Sequence, residues 1–492
     1  MALAALVPLL VALSGWRGRP GVLPGVSARR GFMLGLLAAA VFYTGTLYWT
    51  GDTVRTFGGL AWPVAIAAML LLVLYMSLYV AVASSLTGWL IRRLGWVGLP
   101  LGATTWVSLE LLRGSPLMIG GFPWMPLGNT MVTILPVAQL ASVGGVYALS
   151  LFVGLVNAGF ALVAVLPARP RRVALALTVG LVAVVSIGGG LRLADDRLTS
   201  AGTPVTVGLV QANIRQEDKW DGAKAGEIVE RYMSLTRTAV AQGAAFVLWP
   251  ESATPFLFEE QPVGEAMVRD LVRSTGVPLL FGSDEIEAGS PPRFYNAAFM
   301  LDVGGATAAV YRKMHLVPFG EYVPFKDLLF FVSPLVEAVS DFAPGRMVTM
   351  LPVNGHMAST AICYEVTYPA LQREAVRLGS ELLTTITNDA WYGESSAPFQ
   401  HFEMAAMRAI EQGRYLVRAA NTGITGIVDP YGRVLARTRL GETTVVVGEA
   451  RFVQERTLYA TIGDVVAYAA VALTALAVVA ALRRPWRSLS TT

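Results

Sequence analysis

Ser359-Thr360-Ala361-Ile362-Cys363-Tyr364-Glu365 is the stretch on which the reading of this chain turns. Thr360, Ala361 and Ile362 have the composition of a buried strand end. Pro369 follows a few residues later, at the start of a helical pattern. Cys363, the only cysteine of 492 residues, therefore sits at a strand-to-helix turn. Such a turn leaves a nucleophile an open side, and the helix N-terminus beside it favours a thiolate and a developing oxyanion. A lone cysteine is otherwise an inert, buried small hydrophobe. One cysteine makes no intramolecular disulfide, so the thiol count says nothing of compartment.

Outward from Cys363 the same alternation repeats. Strands are expected at Val205–Gln211, Phe246–Trp249, Pro278–Ser283, Asn296–Leu301, Thr307–Arg312, Ser359–Cys363, Leu382–Thr387, Tyr415–Ala420, Thr425–Asp429 and Thr443–Val447. Helices are expected at Glu227–Ala241, Gly264–Ser274, Pro369–Leu378 and Phe399–Gln412. Alternating strand and helix with a hairpin through Gly304-Gly305 define a mixed, layered α/β domain.

The ends of the chain are a different kind of protein. Hydrophobic residues make up 54% and charged residues 15%, against roughly 25% charged in a soluble domain. Residues 1–193 hold twelve arginines, no lysine and two acids, Asp52 and Glu110, whereas residues 194–464 hold 23 basic and 32 acidic residues. Apolar segments fall at Leu3–Leu13, Phe32–Trp49, Trp62–Leu86, Val97–Leu112, Leu135–Leu166 (interrupted at Gly144-Gly145), Val173–Leu191 and Val465–Leu482. The first is short of the roughly 20 residues a span needs. Arginine clusters at 17–30, at 92–93, at 169–172 and at Arg483, Arg484 and Arg487 mark the cytoplasmic side. That alternation makes residues 1–193 a multi-span helical domain, residues 194–462 an extracytoplasmic catalytic domain, and residues 463–492 a final span with a basic tail. It also starts the chain outside, so Leu3–Leu13 is either re-entrant or preceded by a further helix. The basic residues form no stripe, which excludes nucleic acid as a partner.

Three strand ends carry reactive groups: Trp249-Pro250-Glu251, Tyr311-Arg312-Lys313 and Ile362-Cys363-Tyr364. Sites form at the carboxyl ends of strands in such sheets. There Glu251 can take the thiol proton, while Lys313 and the Tyr364 N–H can stabilise an oxyanion. These residues resemble the Glu-Lys-Cys triad of the nitrilase (carbon–nitrogen hydrolase) superfamily. Lys313-Met314-His315-Leu316-Val317-Pro318-Phe319-Gly320-Glu321-Tyr322-Val323-Pro324 and Thr387-Asn388-Asp389-Ala390-Trp391-Tyr392-Gly393 narrow the resemblance. With spans on both sides, the whole chain resembles the apolipoprotein N-acyltransferase family.

That resemblance implies a four-layer αββα sandwich and no cofactor or metal. It implies acyl transfer from a phospholipid, typically phosphatidylethanolamine, through a cysteine thioester to the α-amine of a lipoprotein's diacylglyceryl-cysteine. Carried over, Cys363 is the nucleophile, Glu251 the base and acid, and Lys313 the oxyanion stabiliser. Glu321 would orient Lys313, and Tyr364, Glu365 and Trp391 match residues near the nucleophile. The location implied is the bacterial cytoplasmic (inner) membrane with the site on the periplasmic side, and the family implies a monomer. The family has eight spans, against the seven apolar segments counted here. A membrane-anchored nitrilase-type amidase using water would need the same triad. A transporter or receptor with a ligand-binding α/β domain would call for intramembrane ionisable residues, of which the apolar segments offer Glu110 as the acid.

His315 reads as a structural donor, and His356 and His401 as ordinary polar residues without metal-ligand spacing. Asn388-Asp389 either caps a helix or shapes the pocket. The apolar stretches Gly114–Asn129, Phe256-Leu257-Phe258 and Phe325–Ala343 are each either packing elements or surfaces for lipid.

Overall fold

The computed structural model describes residues 2–115, 121–318, 320–322 and 342–483. Pro116 and Gly120, Phe319, Val323 and Pro324 of the long motif, most of the apolar stretch after Phe325, and Arg484 and Arg487 lie outside the described residues. The chain divides into two compact units. One comprises Met1–Gly51, Trp62–Asp195 and the chain from Ile462 onward. The other comprises Asp52–Ala61 and Asp196–Thr461.

The first unit is helical, and its apolar runs are long enough to cross a membrane at Ala28–Leu47, Trp62–Gly114, Ala141–Val165, Ala168–Ser200 and Val465–Arg483. Trp62–Gly114 is two helices, as the sequence separates them. Trp62–Leu94 and Gly98–Gly114 flank a tight turn at Gly95–Val97, and Thr87 and Thr105 meet between them at 2.9 Å. Val465–Arg483 packs beside Gly98–Gly114, where the Thr474 hydroxyl donates to Thr104 at 3.0 Å. The first apolar segment forms short helices at Ala2–Ala5 and Val7–Ser14. Asn157 satisfies the break between them, accepting from Leu6 N at 2.8 Å and donating to Ala2 O at 2.9 Å. At the expected interruption, Gly144 (φ −142°) and Gly145 (φ 70°) leave helical geometry.

The strands of the second unit are β1 (Thr203–Gln211), β2 (Phe246–Leu248), β3 (Leu279–Glu287), β4 (Arg293–Leu301), β5 (Thr307–Arg312), β6 (Leu351–Val353), β7 (His356–Ile362), β8 (Leu382–Thr387), β9 (Leu416–Ala420), β10 (Gly426–Val428), β11 (Val434–Arg437) and β12 (Thr444–Phe452). They form two six-stranded sheets, ordered β12-β1-β2-β3-β4-β5 and β11-β10-β9-β8-β7-β6. Each sheet has parallel central strands, β1-β2-β3 and β7-β8-β9, and antiparallel flanks. The sequence reading lacked the short edge strands β6 and β11. β6 is three residues long, too short to read as a run although Leu351 and Val353 are buried, and β11 is largely exposed.

The central strands are covered on both faces and are buried at every position of β2, β8 and β9, which is why they read as unbroken runs rather than alternations. Helix Ala225–Ala241 buries Ile228, Val229, Tyr232 and Met233 against the first sheet, and helix Pro262–Thr275 buries Val268, Leu271 and Val272. Helices Pro369–Arg377 and Ala397–Gln412 cover the second sheet. The sheets meet face to face, closely enough that a Cβ at Gly448 of β12 would lie 2.8 Å from Ile427 of β10. The result is the four-layer αββα sandwich, with the carboxyl ends of β2, β5 and β7 gathered at one end.

Candidate active site

Each candidate side chain emerges where a strand stops. Glu251 follows β2, Lys313 follows β5, and Cys363 follows β7. Two backbone turns of uncommon geometry mark the place. Ser252 has φ 43° and Cys363 has φ 53°. Residues with a Cβ pay about 1–3 kcal/mol for that region and hold it only when their surroundings require it.

The first sheet supplies a buried charge network. Lys313 Nζ donates to Glu251 Oε1 at 3.1 Å and to Glu321 Oε1 at 2.8 Å. Asn296 on β4 bridges the same acids, donating to Glu251 at 2.7 Å and to Glu321 at 2.9 Å. Glu321 is itself fixed by Val317 N at 2.8 Å. Glu251 Oε2 accepts the Asn388 N–H, at the end of β8, at 2.9 Å. Gly282 on β3 is what lets the Glu251 turn sit so low, since a Cβ there would lie 2.4 Å from Ser252 N and 2.6 Å from Glu251 Cα.

The electrostatics follow from burial opposed by partners. Burial raises the Glu251 pKa, but Lys313, Asn296 and Lys219 outweigh it, and the carboxyl is held below its usual range. Burial alone would depress Lys313, yet Glu251 and Glu321 hold its pKa well above normal. Burial, reinforced by the charge of Glu251, pushes the Cys363 thiol up despite Lys313. The resting arrangement is therefore an ionised base, a protonated lysine and a neutral thiol, a set in which the base can take the thiol proton as attack begins.

Glu365 clamps the Lys313 strand end to the cysteine turn. It accepts Met314 N at 2.6 Å, His315 N at 3.0 Å and Ile362 N at 2.8 Å, and the Tyr311 hydroxyl at 2.8 Å. Burial raises its pKa to about 7 while these backbone donors pull the other way. His315 has the structural part expected for it: its N–H binds Glu365 and its ring stacks on Tyr368 at 4.1 Å. Tyr364 is buried and meets Tyr368 edge-on at 5.4 Å. Trp391 is partly exposed, and the segment Asp52–Ala61 covers one side of it. Phe57 lies 4.7 Å from the Trp391 ring, and the Thr53 hydroxyl donates to Trp391 O at 2.9 Å.

Several residues here went unread in the sequence. Asn296 and Arg418 stand as polar interruptions in apolar strands, which is a usable signal. Lys219 is buried and donates to Glu251 O at 3.2 Å, with burial lowering its pKa to about 8. Asp284 accepts from Ser252 at 3.1 Å, and burial raises its pKa to about 6. His401, read as an ordinary polar residue, is fully buried with Nε2 3.0 Å from the Cys363 carbonyl oxygen. Its partner Asp389 is held by Thr387 and Arg418, while Asn388 caps the short helix Asp389–Tyr392, its side-chain oxygen accepting from Ala390 N at 3.4 Å. His356 pairs with Glu381 at 2.8 Å, away from this cluster. Among the described residues no group of His, Cys, Asp and Glu is arranged to hold a metal ion.

Residues 206–458 match the carbon–nitrogen hydrolase family model, which makes the sandwich unit a member of that hydrolase class. Residues 1–159 match the apolipoprotein N-acyltransferase N-terminal domain. An apolipoprotein N-acyltransferase of Geobacter metallireducens is 39% identical over 93% of this chain and 88% of its own length. Those of Shewanella oneidensis and Pseudomonas syringae are 33% and 35% identical, over 85% and 84% of this chain and 80% of their own lengths. A solved amidase of the nitrilase superfamily from Nesterenkonia aligns with 55% of this chain and 97% of its own at 20% identity and a TM-score of 0.42. The chain belongs to the apolipoprotein N-acyltransferase family.

Proposed function

We propose that this membrane enzyme N-acylates apolipoproteins by two successive acyl transfers through Cys363. In the first, Glu251 takes the thiol proton as Sγ attacks an ester carbonyl of a phospholipid. The oxyanion is met by Lys313 and the Tyr364 N–H. Its collapse breaks the ester C–O bond, and Glu251 returns the proton to the departing lysophospholipid hydroxyl. In the second, the α-amine of a diacylglyceryl-cysteine attacks the thioester. Glu251 takes the amine proton, the C–S bond breaks, and the proton passes to Cys363 as its thiol re-forms. The observation that carries this reading is the buried Glu251–Lys313–Glu321 network, with Glu251, Lys313 and Cys363 each following a strand end. Family membership supports the acceptor, and apolar helices support a lipid donor at a membrane. In this reading residues 194–462 form the catalytic domain on the periplasmic side of the cytoplasmic membrane, residues 1–193 and 463–492 anchor it, and the enzyme works as a monomer.

Intact-protein mass spectrometry after incubation with phosphatidylethanolamine tests this. One added fatty acyl group, released by hydroxylamine and absent from Cys363→Ser, is the expected result. Transfer of that group to a diacylglyceryl peptide in preference to water separates the transferase from an amidase. An unmodified wild-type mass after prolonged incubation overturns the mechanism.

A further inference from the structure

The left-handed turn at Cys363 needs something to hold it, and a set of fully buried polar groups stands behind the carbonyl of that residue. His401, on helix Ala397–Gln412, is fully buried. Its Nε2 lies 3.0 Å from Cys363 O. A carbonyl oxygen only accepts, so Nε2 carries the hydrogen. Nδ1 faces Arg418 Nη2 at 3.1 Å and Asp389 Oδ1 at 3.0 Å. Burial and the Arg418 charge lower the His401 pKa, which leaves the ring neutral with Nδ1 as acceptor from Arg418. Arg418 is fixed in turn by Asp389 Oδ2 at 2.8 Å, and Asp389 by the Thr387 hydroxyl at 2.9 Å. Every side chain of this chain of contacts is at most 1% exposed.

The peptide joining Cys363 to Tyr364 is planar, and in a trans peptide the C=O and N–H point in opposite directions. Fixing Cys363 O therefore aims the Tyr364 N–H. We infer that His401, held as its Nε2–H tautomer by the Arg418 N–H that Nδ1 accepts, with Arg418 itself fixed by Asp389, is a positioning residue that holds the Cys363–Tyr364 peptide so that the Tyr364 N–H faces the acyl oxyanion. The inference rests on the proposed acyl transfer at Cys363 and adds to it the device that sets the oxyanion donor.

Two reactions of the same thiol separate this from a merely structural role. Acylation by phospholipid passes through an oxyanion, whereas alkylation by iodoacetamide does not. In the full chain in phospholipid–detergent micelles, His401→Leu is expected to slow single-turnover acylation by about 30- to 100-fold and to change alkylation by less than about 3-fold on the same scale of effects. His401→Gln, whose amide N–H reaches the place of Nε2, should recover most of the acylation rate. His401→Asn, whose amide reaches only the place of Nδ1, should not. Equal slowing of both reactions by His401→Leu, or unchanged acylation, overturns the inference. Should His401→Leu not fold, equal acylation rates for the Gln and Asn variants overturn it, and a fast Gln with a slow Asn variant upholds it. Cys363→Ser runs alongside: acyl-enzyme formation surviving in that variant sinks the mechanism itself, independently of His401.

Discussion

The two sheets furnish the site in opposite ways. The first sheet brings buried charge: Glu251, Lys313 and Glu321 share one buried network in which two acids face one lysine. The second brings backbone held in place: Cys363 at a left-handed turn, its carbonyl bound by a neutral histidine, and behind it the buried pair Arg418–Asp389. Each side also has one glycine on which the geometry depends. Gly282 makes room for the Glu251 turn, and Gly423 makes room for Asp389, since a Cβ there would lie 2.1 Å from Asp389 Oδ2. In the proposed mechanism, proton transfer and nucleophile orientation are thus built on separate scaffolds. They are joined by a few bonds such as Asn388 N to Glu251 and Met314 N to Glu365.

Breaking the chemistry on either side should give the largest effects. Cys363→Ser is expected to cost at least about 10⁴-fold in turnover with no thioester detectable by mass, while leaving membrane insertion intact. Glu251→Gln should cost about 10³- to 10⁴-fold, because the thiol loses the group that takes its proton. Single-turnover acylation at several pH values checks it. If Glu251→Gln keeps single-turnover acylation within about 10-fold of the wild type across that pH range, the base assignment needs revision.

The glycines sharpen the comparison. Gly423→Ala forces Asp389 from Arg418 and should cost about 3–5 kcal/mol of stability, the scale for breaking a buried ion pair. Gly282→Ala should cost less stability, about 1–3 kcal/mol, but more activity for each kcal, because it moves the base. Thermal unfolding and acylation rates measured together read the difference, and the same ratio of losses in both variants would erase the distinction drawn here.

The last effect, at Lys219, is a gain of stability rather than a loss. Its pKa is lowered by burial from 10.5 to about 8. Between those values the unfolded chain binds more protons than the folded one, so the stability of the wild type rises with pH across that window. At pH 7 the buried charge costs on the order of 3 kcal/mol. Lys219→Met should be more stable than wild type at pH 7, and its advantage should shrink as pH passes from 8 to 10.5 in chemical denaturation. A constant difference across that range would assign Lys219 a different role.

Much of the fold was legible because its signals are one-dimensional. Hydropathy marks the membrane helices, and buried strands ending in Glu251, Lys313 and Cys363 mark the site end. What stayed hidden depends on side chains distant in sequence. His401 lies 38 positions from the carbonyl it holds, and Asn388 lies 137 from the carboxylate it donates to. Neither carries a local spacing that announces its partner. Arg418 in Leu416–Ala420 was a signal within reach, since a charge in a strand buried at every position must have a buried partner. The segment Asp52–Ala61 gave no sign at all, because its affinity for Trp391 is one aromatic contact and one hydrogen bond.

The burial that keeps the Cys363 thiol neutral also bears on redox chemistry. Peroxides react with thiolates, so a protonated, enclosed thiol oxidises slowly. Cys363 is also the only cysteine in this chain. A sulfenic acid formed there would find no second thiol within the chain to resolve it, and further oxidation would end the enzyme's working life. Slow oxidation at rest is thus what would preserve the proposed nucleophile, for which the chain holds no spare.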